Sequence, residues 1–208
     1  MSKSLQEKFW SGDFGDQYIS RNNDPQIVVS NTFLFSEILR RLPPINSVCE
    51  LGSNIGLNLI ALHTLLPDAE LTGVEINEKA AEQLKELPYV TPKCSSIYDI
   101  DIGERQYDLV FTKGVLIHQD PAMLPEAYNI LYHISRRYIM VCEYYNPTPV
   151  EVEYRGNKSV LFKRDFAGEL MDRYPDLKLL DYGFTYHKDN HFLGGDDSNW
   201  FLLEKEAH

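Results

Sequence analysis

The chain has 208 residues, a formal net charge of −11 and an isoelectric point near 5.0. That length fits one domain with a sizeable core, and the acidity argues against a nucleic-acid polymer as partner, since such proteins carry a basic face. Cys49, Cys94 and Cys142 show no C-x-x-C spacing and fall in or beside strand-like runs, so they are expected as small core residues and not as a zinc site or disulfide framework.

No apolar run approaches membrane-spanning length, and the first ten residues lack a signal-peptide core, so a soluble cytoplasmic protein without metal is expected. Residues 1–30 are expected to form an extension in which Phe9, Trp10, Phe14 and Tyr18 alternate with Gly12, Gly15 and acids, without clean helical periodicity. Two readings stand for it: an aromatic plug packed on the sheet edge, or a lid with Tyr18 and Arg21 facing a ligand. A tyrosine face attracts a cation and an arginine suits a carboxylate, which makes Tyr18 a candidate catalytic group and Arg21 a candidate substrate ligand. Residues 31–208 are expected as a single domain. Its first helix places Phe35, Ile38, Leu39 and Leu42 on one face and stops at Pro43-Pro44.

The next stretch, SVCELGSNIGLNLIALHTLL, is a short strand, a turn at Gly52, Asn54 and Gly56, and a helix with Leu57, Ile60, Ala61, Thr64 and Leu65 at helical spacing. Glycine supplies positive φ and lets a ligand approach the backbone; asparagine tolerates the same region. A second strand, 71–74, ends in Glu75-Ile76, about twenty residues past the turn, where a doubly wound fold places the acid that accepts hydrogen bonds from a ribose diol. The glycines do not follow G-x-G-x-x-G, so the seat for a pyrophosphate is missing. Glu50, two residues before the first glycine, would repel a phosphate and attract an ammonium. An adenosine joined to a cationic amino acid, S-adenosylmethionine, fits both acids. ELGSNIG and VEIN resemble the first two motifs of class I S-adenosylmethionine-dependent methyltransferases, which usually have glycine where Asn54 stands.

Asn77 is placed to cap the following helix. Strand three, 89–95, contains Pro92 and is expected at a sheet edge. Ser96-Ile97-Tyr98-Asp99 follows it; by the resemblance, Ser96 and Ile97 would meet the adenine. Strand four, 107–112, runs into KGVLIHQDP, with a helix start at Asp120-Pro121. Lys113, Gly114 and His118 therefore fall at the carboxyl rim of the sheet, where open α/β sheets bind ligands. Lys113 and Gly114 are expected beside the cofactor. His118 is either a general base or a histidine tying down a helix end. Strand five, 138–142, delivers Glu143, Tyr144 and Tyr145 to the same rim, as a second candidate base and an acceptor pocket or as ordinary rim residues.

VEVEYRGNKSVLFKRDF reads as a hairpin insertion over about 148–164, turning at Arg155-Gly156-Asn157-Lys158. Its cations are either solvated or, with Arg155 foremost, a clamp on an anion. Asp165 caps the last helix, and strands at 177–186 and 199–204 pair antiparallel, their connection being too short for a crossover. The expected fold is α/β: a Rossmann-like doubly wound sheet of order 3-2-1-4-5-7-6 with an antiparallel C-terminal hairpin.

FWSGDFGDQYISRN, DYGFTYHKDNHF and DDSNWFLLEK resemble the small methyltransferases associated with pseudaminic acid biosynthesis, which implies an amino-sugar or nonulosonic-acid substrate. The expected activity is methyl transfer from S-adenosylmethionine to nitrogen or oxygen of a small anionic metabolite, leaving S-adenosylhomocysteine. A neutral amine needs little base, whereas a sugar hydroxyl needs one. Another small amine or acid as acceptor, a nicotinamide-dependent oxidoreductase and a non-catalytic binding module are the alternatives. No nucleic-acid or membrane partner is expected, and the oligomeric state is open.

Overall fold

Central parallel strands must be apolar on both faces because helices cover both sides of the sheet. Ser47–Leu51 (β1) meets that demand: all five of its residues are buried. The structure, a computed structural model, describes residues 4–100, 106–190 and 196–206. Helices α1 (Leu5–Ser11), α2 (Asp13–Arg21) and α3 (Pro25–Leu39) precede β1. After it come α4 (Leu57–Leu65), β2 (Glu70–Glu75), α5 (Glu78–Leu84), β3 (Val90–Cys94) and β4 (Tyr107–Lys113). The remainder is α6 (Leu124–Ile134), β5 (Ser135–Glu143), β6 (Val150–Glu151), β7 (Phe162–Lys163), α7 (Phe166–Arg173), β8 (Leu177–Thr185) and β9 (Ser198–Lys205).

The seven-stranded sheet runs β3-β2-β1-β4-β5-β9-β8. Strands β1 to β5 are parallel, and β9 lies antiparallel between β5 and β8. Counting sheet strands alone, this is the expected order 3-2-1-4-5-7-6. Pro92 sits in β3, which pairs only with β2 and so leaves the missing N–H at an edge. One face of the sheet packs Phe35 and Ile38 of α3, Leu59 and Leu62 of α4 and Leu84 of α5. The other packs Leu124, Tyr128 and Leu131 of α6 with Phe166 and Leu170 of α7.

The N-terminal segment differs from expectation in being helical. Helices of two turns are too short for a hydrophobic period to repeat, and Gly12 caps both. Tertiary contacts and a local cap hold them instead. Ser4 Oγ accepts the Glu7 N–H at 3.1 Å and Glu7 returns a bond to Ser4 N at 2.7 Å, a complete capping box. Asp24 caps α3 and Pro25 begins it, so this helix runs unbroken across the boundary expected at residue 30.

Three smaller points also differ. Cys49 and Cys142 are buried, but Cys94 is exposed on edge strand β3. Helix α6 begins at Leu124 because Asp120 is spent on a turn, accepting the Ala122 N–H at 2.9 Å. The inserted ribbon pairs over only two residues per strand, Val150 with Lys163 and Glu151 with Phe162. At its tip, Tyr154 and Asn157 exchange backbone hydrogen bonds at 2.9 Å in each direction around Arg155 (φ 50°) and Gly156 (φ 78°), the left-handed pair that a tight hairpin demands. His191 and Phe192 of the C-terminal motif lie outside the described residues. Among the described residues no helix is long and apolar enough to cross a membrane.

Phe35 is fully buried and meets Phe111 edge-on, with ring centroids 5.3 Å apart. Phe35→Ala should therefore cost about 3–5 kcal/mol, read as a lowered urea midpoint with an unchanged m-value.

Candidate active site

Glu75 ends β2 with its side chain directed at the loop that follows β1. One carboxylate oxygen accepts the Asn54 N–H and the other the Asn77 N–H, each at 2.7 Å. Burial raises its pKa, while these backbone bonds and one from Ile76 oppose the rise. A carboxylate offers about four lone-pair sites, so it retains acceptor capacity toward the cleft that it lines. The loop beside it needs its left-handed residues: φ is 82° at Gly52, 48° at Asn54 and 86° at Gly56. A Cβ on Gly52 would stand 2.5 Å from Val115 Cγ2. Asn54 adopts the left-handed geometry that its side chain permits.

Gly52, Asn54, Glu75, Ile76, Ser96, Ile97, Lys113 and Gly114 all form part of the cleft wall. Glu50 and Gly56 do not. Gly56 instead starts α4, with its left-handed turn under Leu84 and Leu87. Glu50 is fully buried behind Asn58, a wall residue whose amide donates to Glu50 Oε1 at 2.5 Å. Its Oε2 has no partner among the described residues. Desolvation pushes its pKa up to about 8, against the Asn58 bond and the attraction of Lys113. A buried carboxylate in that state favours the arrival of a cation.

The outer wall comes from α1, α2 and the turn after β4. Trp10 packs 4.6 Å from the His118 ring and 5.2 Å from that of Tyr18, and all three residues line the cleft. Burial raises the Tyr18 pKa, so the phenol stays protonated. His118 Nδ1 lies 2.6 Å from the Val160 carbonyl, and burial lowers its pKa to about 4. A carbonyl only accepts, so Nδ1 carries the proton and Nε2 of the neutral ring is the acceptor.

Glu143, expected as a candidate base or an ordinary rim residue, braces the turn after β4. It is buried and accepts three consecutive backbone N–H groups, from Val115 and Leu116 at 3.1 Å and from Ile117 at 3.3 Å. Its pKa rises to about 7, burial outweighing those bonds, and it is not part of the cleft wall. The four expected substrate ligands also lie off the wall. The Arg21 guanidinium sits over Phe14 (5.0 Å) and Tyr18 (5.9 Å). Tyr144 donates to Asp196 at 2.7 Å, Tyr145 turns to Phe201, and Arg155 sits over Tyr154 beyond the ribbon tip. Gln6, Asn22, Asn31 and Asn58 join the wall without having been singled out in the sequence, as does Trp10, read there only as part of an aromatic plug or lid. Of the four, only Asn58 carried a local signal, in the first turn of α4 two residues past Gly56.

The methyltransferase-domain family profile matches residues 48–136, the span from β1 to the start of β5. No curated protein sequence matches the chain. Among solved structures, the chain is similar to magnesium protoporphyrin IX methyltransferase from Synechocystis with bound SAH, at 16% identity and TM-score 0.68, covering 99% of this chain and 100% of that one. It is also similar to the Burkholderia thailandensis 1,6-didemethyltoxoflavin-N1-methyltransferase with bound S-adenosylhomocysteine (14%, TM-score 0.69, 98% and 88%). A third is the plantazolicin methyltransferase BpumL in complex with SAH and a pentazolic substrate analogue (14%, TM-score 0.65, 97% and 95%). At these identities the likeness establishes a shared fold.

Two outcomes follow from the carboxylates. Glu143→Ala strands three N–H groups and should cost about 2–4 kcal/mol in urea unfolding. The Glu50 pKa of about 8 lies above its ordinary 4.5, so the native state holds the proton more tightly. That contribution is complete below pH 4.5 and is lost as pH rises through 8. Glu50→Gln should accordingly gain thermal stability over the natural protein progressively from pH 5 to pH 9.

Proposed function

We propose that the protein transfers a methyl group from S-adenosylmethionine to a nitrogen or oxygen of a small molecule. The observation that carries this reading is the pair of acids at the head of the sheet. Glu75 faces the cleft with acceptor capacity left for a ribose diol, and Glu50 lies behind Asn58 with an oxygen that lacks a partner. A ligand with a nucleoside at one end and an ammonium at the other answers both. The family profile over residues 48–136 and the bound S-adenosylhomocysteine of the structural neighbours support the same cofactor.

S-adenosylmethionine would supply the electrophilic methyl carbon. Gly52 and Asn54 leave room for it beside the backbone, Glu75 orients the ribose, and Ser96 and Ile97 border the adenine. Glu50, whose ionisation a neighbouring cation would favour, and Asn58 suit the cationic end. Lys113 and Gly114 complete the floor. The acceptor's lone pair must approach in line with the breaking carbon–sulfur bond, and orientation of this kind is worth up to roughly 7–11 kcal/mol. Trp10, Tyr18 and His118 form the wall that excludes water during that approach.

The terminal motifs point to an amino-sugar or nonulosonic-acid derivative as a finer candidate for the acceptor. Its amine suits the chemistry. The cations and phenols expected to hold its acid lie off the cleft wall, however, and no compared neighbour is described as acting on such a sugar. A dinucleotide would have to put its pyrophosphate near Glu50, which repels it.

Glu75→Ala should weaken S-adenosylmethionine binding at least tenfold in titration calorimetry. S-adenosylmethionine and its demethylated product should raise the melting temperature of the natural protein while NAD leaves it unchanged; a shift with NAD alone would sink the proposal.

A further inference from the structure

Resting on the methyl-transfer reading, we propose that the acceptor is an uncharged, flat nitrogen compound, a heteroaromatic ring or aryl amine, methylated on nitrogen against Trp10, Tyr18 and His118. The inner wall of the cleft, from Gly52 to Asn54 and around Glu75 and Ile97, is accounted for by the cofactor. What remains is an aromatic wall: the rings of Tyr18 and His118 flank Trp10 at 5.2 and 4.6 Å, and Tyr154 backs His118 at 5.2 Å. Such faces favour a flat ring over a puckered sugar.

Two buried polar atoms on this wall have no partner among the described residues. Gln6 is 6% exposed; its amide nitrogen is committed to the Ser159 carbonyl at 3.0 Å, but its Oε1 bonds to nothing, and neither does Trp10 Nε1. One needs a donor and the other an acceptor. Gln6 and Trp10 lie about one turn apart on α1, so a ligand meeting both would carry an N–H and a lone pair, as an amino-substituted heterocycle or a ring lactam does. Leaving such groups unpaired is costly, so pairing them is a strong selector.

Charge points the same way. Among the described residues, Lys113 is the only lysine or arginine lining the cleft, and it faces the buried Glu50, whereas Glu7 and Glu75 line it as acids. An anion finds no counter-ion here. A hydroxyl finds only a weak base, for Glu143 is consumed by three backbone donors and burial of the His118 ring lowers its affinity for a proton. A nitrogen lone pair needs no prior deprotonation. It forms the new bond to carbon as the carbon–sulfur electrons pass to sulfur, turning the sulfonium into a neutral thioether. Where the nitrogen bore hydrogen, that proton then leaves to water or to His118 Nε2.

The test is binding to the protein saturated with S-adenosylhomocysteine, at pH 7.5, read by calorimetry and ligand-observed NMR. The probes are 2-aminopyrimidine and quinazolin-4-one as uncharged rings, N-acetylneuraminic acid as the anion and N-acetylglucosamine as the neutral sugar. The rings should bind at least tenfold more tightly than either sugar. Trp10→Phe and, separately, Gln6→Met should each weaken them about tenfold, with S-adenosylhomocysteine affinity measured in parallel as the report of an intact fold. Sugar binding as tight as ring binding, no ring binding, or ring binding indifferent to both substitutions would overturn the proposal. Failure of the natural protein to bind S-adenosylhomocysteine would instead overturn the methyl-transfer reading beneath it.

Discussion

The head of the sheet depends on carboxylates that accept hydrogen bonds from loop backbone. Glu75 ties the glycine loop after β1 to the turn after β2, and Glu143 gathers three N–H groups of the turn after β4. Each loop is too short to satisfy its own donors, and each would be costly to bury without an external acceptor. The parallel strands deliver these acids to their carboxyl ends, where consecutive loops converge. The scaffold and the wall of the cleft are thus built from the same bonds, and Glu75 belongs to both.

Electrostatically the site is unusual for the burial it contains. Glu50 sits in the central strand with no formal ion pair, softened only by Asn58 and the more distant Lys113. An apolar residue there would pack at no desolvation cost, so the acid destabilises the ligand-free chain at neutral and higher pH. Its raised affinity for a proton is equally an appetite for any cation that can reach it. The overall acidity of the chain adds to that preference and discourages anionic ligands at the mouth.

What was legible in the sequence follows from range. The strand–loop–helix at 47–65 and the acid at Glu75 are local patterns in which backbone conformation and residue type are tightly linked, and strand order followed once the edge proline and the C-terminal hairpin were recognised. Lys113 and Gly114 could be placed from the end of strand four and Ser96 and Ile97 from the family resemblance, and all four lie in the cleft wall. Glu143 was left open between base and rim residue because a rim carboxylate looks the same whether it faces a ligand or a neighbouring turn. The directions of Arg21, Tyr144, Tyr145 and Arg155 depend on how the ribbon and α2 fold back, which no periodicity reports. Gln6 and Trp10 lie on a helix of seven residues whose position over the cleft is fixed by contacts with residues 77, 118 and 159, far away in sequence.

The inserted ribbon meets the site through the Tyr154 ring against His118 and through two main-chain acceptors: the carbonyl of Ser159 holds Gln6, and that of Val160 holds His118. A carbonyl is the same whatever side chain it accompanies. Those two bonds therefore depend on the path of the arm, and adding or deleting a single residue would slide both acceptors out of reach at once. Spacing is as much a part of what this arm contributes to the wall of the cleft as the Tyr154 ring.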